Sequence, residues 1–434
     1  MDFDTPQIEQ TKIEEMKVVS LNLCLASPIY YPYFGGASTR FRKYLPEFKK
    51  KDVNTYVLTG TLNKYITERR DVEPDWLTVP VGEIYPKEFV DGFPVYRVRL
   101  PYESVRKADY KFGEFVVQSC ISQNEVTDVV QFVSTSPWMS KSLYHLRKLN
   151  IPTLLAYTLI SDLSKNPVKR IYQKFLWNIP FRFSACVVVN SIKMKESLES
   201  NGINARIEVI GNGVDINRFH PIQNESELHH VREKLNIQDS DQVVINVGSI
   251  EPRKGTDLLV QAWSQLAVQN KSLHLILVGP QRNATVLGSS DFYNNLLDLV
   301  QTRQVADRVH FLDYVPDVET YLRISDLFVF TSLREGLPNA IFEAMASNLP
   351  VITTNFDGIS HEIGQVDKHY LLLPERDPVQ LASLMERVLN NKSLQRSLGD
   401  AARKWVEESF SLDSTIDKYK ALYQGLVSTK KHHL

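Results

Sequence analysis

The sequence predicts an α/β chain of two doubly wound domains, each built on a mostly parallel sheet. Three observations carry this. Short, bulky apolar runs alternate with helical patterns along most of the chain, as in successive βαβ units. Strand, glycine-bearing turn and helix follow one another twice, at Gly35 and Gly36 and again between Gly248 and Gly255. At 434 residues the chain is long enough for two domains with proper cores.

Composition narrows the functional class. A hydrophobic share of 43% and a charged share of 23% are those of an ordinary globular protein. A formal net charge of −1 excludes a globally basic nucleic-acid binder, so no nucleic-acid partner is expected. No apolar run approaches the roughly 18 residues of a membrane-spanning helix. The first residues, MDFDTPQIEQTKIEEMK, are acidic and polar, unlike a secretory signal. Cys24, Cys120 and Cys186 are scattered among apolar neighbours, which reads as buried free thiols in a reducing cytoplasm.

In chain order, residues 1–16 form a leader and residues 17–26 the first strand. A turn-rich loop ends at Gly35 and Gly36, and a helical pattern then runs through Lys51, bent or broken at Pro46. This arrangement lets backbone approach a phosphate at a helix N-terminus, although paired glycines also simply make turns. Arg40 and Lys43 share a helix face that either looks into the same cleft or is a solvated basic surface. Strands are expected at 53–59, 93–100, 128–133, 153–158 and 185–190. Residues 60–92 hold a longer, charged surface excursion.

Residues 165–183 interleave Lys165, Lys169, Arg170, Lys174 and Arg182 with Tyr172, Phe175, Trp177 and Phe183. One reading is a core-packing helix with a solvated basic face, interrupted by Pro180. The other lays the stretch on an anionic membrane surface, as a peripheral contact. Asn212-Gly213 is a turn dipeptide at the end of the first domain, and residues 223–241 are a polar connection.

The second half opens with a strand at 243–247 and the turn Gly248 to Gly255, in which Arg253 and Lys254 sit beside a helix N-terminus. Two cations there make an anion site able to neutralise a diphosphate, or else a solvated turn. Further strands are expected at 273–278, 309–312, 327–330, 351–354 and 370–373. Residues 331–355, TSLREGLPNAIFEAMASNLPVITTN, read as strand end, loop, helix, turn and strand. Glu335 lies in the loop and Glu343 eight positions later on the helix, both at the carboxyl end of a strand, where open α/β sheets bind ligands. Carboxylates there suit sugar hydroxyls, because they accept hydrogen bonds strongly. The plainer alternative is a dipole-favouring acid followed by a solvated one. Residues 405–425 are the last long amphipathic pattern.

The run E-G-L-P-N-A-I-F-E-A-M resembles the E-x7-E signature of the family-four retaining glycosyltransferases, enzymes of the GT-B fold. The resemblance implies two Rossmann-like domains facing across a cleft, with a C-terminal helix crossing back to the first. It divides the chain into a leader at 1–16, an acceptor domain at 17–215, a nucleotide-sugar domain at 216–404 and a returning helix at 405–434. It places Glu335 at the donor sugar and Glu343 at the nucleotide ribose. The backbone of Gly336, Leu337, Asn339 and Ala340 would hold sugar and phosphate. Arg253 and Lys254 match its phosphate-binding turn, with Ser249 standing where a second Arg is usual. Gly35 and Gly36 resemble its Pro-x-x-Gly-Gly loop, and Val315 falls in the loop that holds the base. The family's His near the strand after Ile151-Pro152 is missing, and Thr158 or a neighbour stands there.

The resemblance thus implies metal-independent transfer of a hexosyl group from a nucleotide diphosphate sugar, UDP ahead of GDP, to a glycan or lipid-linked acceptor. No cofactor is expected beyond that co-substrate. Asp239-Ser240-Asp241 formally matches a cation motif but precedes a strand, so no metal ligand is expected there. A nucleotide-sugar epimerase of similar shape, or a non-catalytic partner subunit, are the alternatives.

Overall fold

The computed structural model describes residues 20–31, 36–61, 79–101, 104–122, 125–134, 136–157, 166–223, 225–280, 289–356, 359 and 361–431. Gly35, Thr158, Lys165 and the leader therefore lie outside the described residues.

Two sheets organise the chain. The first has eight strands: β1 (Leu21–Ser27), β2 (Val53–Gly60), β3 (Glu88–Val90), β4 (Phe93–Val98), β5 (Val129–Phe132), β6 (Thr153–Tyr157), β7 (Cys186–Val189) and β8 (Ile207–Val209). Their spatial order is β3-β4-β2-β1-β5-β6-β7-β8, parallel throughout except for the antiparallel pair β3 and β4. The second sheet has six parallel strands: β9 (Gln242–Val247), β10 (Leu273–Val278), β11 (Val309–Leu312), β12 (Leu327–Phe330), β13 (Val351–Thr354) and β14 (Leu371–Leu373). Their order is β11-β10-β9-β12-β13-β14, so β9 and β12, far apart in sequence, are neighbours.

Six helices matter to the site: α1 (Gly36–Lys50), α2 (Pro167–Phe183), α3 (Thr256–Gln269), α4 (Asn339–Ala346), α5 (Lys392–Ser409) and α6 (Leu412–Lys431). α1 runs unbroken through Pro46, contrary to the expected break. Phe41, Tyr44, Leu45 and Phe48 all bury on one of its faces, and that burial outweighs the lost N–H bond. α2 likewise continues through Pro180. The pattern expected over 405–425 is in fact divided at Phe410 and Ser411: α5 ends on the second sheet's core and α6 begins on the first.

α6 is the element that crosses back. Ile416, Tyr419, Leu422, Tyr423 and Leu426 share a buried cluster with Leu23, Leu25, Phe41, Tyr44 and Phe48. Tyr419 meets Phe41, Tyr44 and Phe48 with ring centroids 5.7, 6.0 and 6.2 Å away, edge-on or tilted as aromatic quadrupoles prefer. The chain thus passes between the two halves twice, at residues 210–215 and 410–412. The passages are joined by Val214 N donating to Phe410 O at 2.8 Å and Leu412 N donating to Val214 O at 2.8 Å. Gly213 permits this closeness, since a Cβ there would strike the Leu412 backbone. One mostly parallel and one parallel sheet, with the last helix returned to the first, form the expected two-domain α/β architecture.

Candidate active site

The carboxyl ends of both sheets face one cavity of about 860 Å³. From the first sheet it is lined by Ser27 at the end of β1, Val133 and Ser134 after β5, Tyr157 at the end of β6, Asn190 after β7, and Arg40 on α1. Trp177 of α2 also reaches it. From the second come Gly248, Lys254, Phe330, and the segment Glu335, Gly336, Leu337, Pro338, Asn339, Ala340 and Glu343.

Adjacency of β9 and β12 brings their following loops together. Arg253 and Lys254 lie in a single 3-10 turn that ends at Gly255, whose φ is 64°. Glycine is needed here twice over, for the left-handed backbone and because a Cβ would strike the Thr331 carbonyl. The turn is stitched to the 331–335 loop: Leu333 N donates to Arg253 O at 2.8 Å and Thr331 Oγ1 to Lys254 O at 3.1 Å.

Glu335 sits at the centre of this seam. Its Oε1 accepts from Lys254 Nζ at 2.6 Å, Arg253 Nη1 at 2.8 Å and Ser332 Oγ at 2.8 Å. Oε2 has no hydrogen-bond partner among the described residues, and Glu335 lines the cavity. Burial by itself would raise its pKa, but the Lys254 ammonium and the hydrogen bonds it receives hold the carboxyl below the usual range. The result is a carboxylate fixed by one oxygen and presenting the other. Arg253 is further held by Glu251 at 2.8 Å and by the Arg334 carbonyl at 2.8 Å.

α4 starts just past Pro338, an extended cap (φ −78°, ψ 105°), and its first residues, Asn339 and Ala340, line the cavity. Ile341, Phe342 and Met345 bury against the second sheet, while Asn348 ends the helix in the left-handed region (φ 65°). Glu343 leaves the helix on the cavity side. Burial pushes its carboxyl up, opposed by the charges of Lys43 and Arg218.

Asn212, on the first passage between the sheets, ties the two sides together. Its amide nitrogen donates to Asn339 Oδ1 at 2.6 Å and Leu337 O at 3.3 Å, and its oxygen accepts from Arg40 Nη1.

The sequence-predicted residues divide in three. Lys254, Glu335, Gly336, Leu337, Asn339, Ala340 and Glu343 line the cavity, and Arg253 braces it through Glu335. Ser249 bonds Glu251 at 3.0 Å and Val315 packs against the core around α4, and neither is a lining residue; Gly36 begins α1. Gly35 lies outside the described residues. Arg40 and Lys43, read as one face, separate: Arg40 is buried in the cavity wall and Lys43 is exposed. Sequence reasoning missed Ser134, Trp177 and Asn190. For Ser134 and Asn190 the available signal was position, each just past the carboxyl end of a strand. Asp239 and Asp241 turn to different partners, His229 at 3.4 Å and His274 at 3.2 Å. Among the described residues no group of three His, Cys, Asp or Glu side chains could hold a metal ion.

Two family models match the chain: glycosyltransferase family 4 over residues 34–218 and glycosyl transferases group 1 over residues 229–405. The chain has the GT-B fold and is related to both families. Among solved structures it resembles a glycosyltransferase from Rickettsia africae ESF-5, with TM-score 0.73 and 18% identity over 94% of this chain and 99% of the other. HepE of Anabaena in complex with UDP and glucose aligns with TM-score 0.69 and 18% identity over 93% of this chain and 99% of the other. Curated relatives include the N-acetyl-alpha-D-glucosaminyl L-malate synthase of Bacillus anthracis, 26% identical over 48% of this chain and 51% of the relative. They also include the UDP-Gal:alpha-D-GlcNAc-diphosphoundecaprenol alpha-1,3-galactosyltransferase of Escherichia coli, 28% identical over 52% of this chain and 56% of the relative. The aligned part thus spans about half the length of these two relatives.

Proposed function

We propose that this GT-B protein is a retaining glycosyltransferase that moves a sugar from a nucleotide diphosphate sugar to a hydroxyl of a glycan or lipid-linked acceptor. The observation that carries the reading is Glu335, which lines a cavity shared by both sheets and is clamped through Oε1 by Lys254, Arg253 and Ser332 while Oε2 has no partner among the described residues. The half built on the second sheet holds the nucleotide sugar and the half built on the first the acceptor, with α6 (Leu412–Lys431), rather than everything from residue 405, returning to the first. UDP is favoured as the nucleotide, since HepE and the galactosyltransferase are named with it.

In the reaction the anomeric C–O bond breaks, positive charge grows on the sugar and negative charge on the leaving phosphate. Glu335 Oε2 accepts a sugar hydroxyl and balances the growing positive charge. Lys254 and Arg253, now shared between Glu335 and the diphosphate, stabilise the leaving group together with the N-terminus of α4. Glu343 takes the ribose hydroxyls. The leaving phosphate accepts the acceptor's proton, so no histidine base is needed at Thr158, and no metal is needed for neutralisation.

α2 supports contact with an anionic lipid surface at the cytoplasmic face of a membrane. It carries no acidic residue, and Ile171, Tyr172 and Phe175 are 69, 60 and 59% exposed beside Lys169 and Arg170. No helix of the described residues is long and apolar enough to cross a membrane. Sedimentation with vesicles containing phosphatidylglycerol tests this; equal binding by Ile171→Ser/Phe175→Ser removes α2 from the contact.

The activity reading is tested by a thermal-shift panel of UDP, GDP, ADP and CDP with and without EDTA, then by transfer assays with the sugar of the responding nucleotide. A ligand at about 100 times its Kd stabilises by about 2.7 kcal/mol. One nucleotide raising Tm, insensitive to EDTA, is the expected outcome. No shift with any nucleotide refutes the donor site, and an EDTA-sensitive one refutes metal independence.

A further inference from the structure

The cations at the second sheet's side of the cavity are already neutralised: Lys254 in its lining and Arg253 behind it share Glu335, and Arg253 also meets Glu251. Arg40 is different. It is one of three buried arginines among the described residues, 8% exposed. Buried Arg97 pairs with Glu88, and Arg308 has Asp307 at 3.7 Å plus two backbone carbonyls at 2.7 and 2.8 Å. Arg40 has no carboxylate partner among the described residues; Nη1 donates to the neutral Asn212 amide, and Nε–H is sealed from water without an acceptor. A buried guanidinium is costly unless an anion pairs with it. Its planar fork matches phosphate oxygens, and it lines the wall of the cavity opposite Lys254.

We propose that Arg40 is the phosphate-receiving residue of the cavity wall built by the first sheet. The phosphate arrives either on the donor diphosphate or on the acceptor. The first source rests on the nucleotide-sugar reading above; the second does not. Because Arg40 is bonded to Asn212, and Asn212 to Leu337 O and Asn339, a phosphate on Arg40 also braces the loop that carries Glu335.

The test compares the full-length chain with Arg40→Gln and Arg40→Lys. Glutamine keeps a neutral N–H for Asn212 while removing the charge, and lysine keeps the charge without the fork. Calorimetric titrations use uridine and UDP, then glucose and glucose 6-phosphate, each of these two with UDP present. Arg40→Gln is expected to keep or raise the unliganded Tm, because an unpaired buried charge is gone. It should weaken one phosphate-bearing probe about tenfold or more, the loss expected of a charge-assisted hydrogen bond, with uridine and glucose unchanged. Arg40→Lys should recover part of the loss. Weakening confined to UDP assigns the donor diphosphate; weakening of glucose 6-phosphate with UDP intact assigns an acceptor phosphate. If Arg40→Gln binds UDP and glucose 6-phosphate as the wild type does, the proposal is overturned. It is equally overturned if Arg40→Gln and Arg40→Lys both unfold at lower temperature and lose uridine as well, since Arg40 is then structural. A wild type that binds neither uridine nor UDP refutes the nucleotide reading instead, leaving Arg40 to be decided by glucose 6-phosphate alone.

Discussion

Glu335→Gln separates what the carboxylate does for the fold from what it does for the reaction. The substitution keeps the shape and one acceptor oxygen but removes the charge that Lys254 and Arg253 share. The Lys254 pair is largely enclosed, with side chains 17 and 16% exposed, and a charge-assisted bond of that kind contributes about 1.5–3 kcal/mol. Arg253 is 45% exposed, so its share is discounted to about 0.5 kcal/mol. The unliganded variant should therefore lose about 2–3.5 kcal/mol, or roughly 4–14 °C in Tm at about 2–4 °C per kcal/mol for a domain of this size. Bound nucleotide diphosphate should restore much of that, because its phosphates replace the missing charge beside Lys254. Differential scanning fluorimetry with and without UDP reads both quantities, and a transfer assay should show activity lost with nucleotide affinity kept. A variant as stable as the wild type would refute the clamp. Lost UDP affinity with retained stability would show that Glu335 serves the nucleotide and not the sugar.

Two other outcomes follow from the same geometry. Glu343 has its pKa raised by burial, so the native state favours its protonated form; its stabilising contribution is complete below the unfolded pKa and is lost as pH rises through the folded value. Glu343→Gln should accordingly raise the unliganded Tm at neutral pH, the gain vanishing below about pH 4, while nucleoside affinity falls; a variant with unchanged affinity removes Glu343 from the ribose. Tyr419→Ala empties a site enclosed by Phe41, Tyr44, Phe48 and Tyr423 and should cost about 3–5 kcal/mol in urea unfolding. A cost under about 1 kcal/mol would mean that α6 adds little to the first domain's core.

Strands filled by apolar runs were legible because a covered parallel sheet demands such residues on both faces. Leu327–Phe330 and Leu273–Val278 are of this kind and coincide with their expected limits. β8 and the antiparallel edge strand β3 were not among the expected strands: β8 is a short run just before the Asn212-Gly213 turn, and β3 falls inside the stretch 60–92 that reads as a charged excursion. The site was legible as a list of residues and not as a set of partners. Lys254 and Glu335 were read as separate groups, for phosphate and sugar, and their mutual bond spans 81 positions. It exists because β9 pairs with β12, a fact of topology. Arg40 read more readily as solvated surface, because what makes it a wall of the cavity, Asn212, comes 172 positions later.

The double passage between the halves has a mechanical consequence. A single linker would let one half swivel freely about the other. Two backbones lashed side by side at Val214, Phe410 and Leu412 behave instead as the pin of a door. Such a joint resists torsion between the halves, which a single strand of chain would not. It thereby keeps the Glu335 edge of one sheet in register with the Arg40 wall of the other.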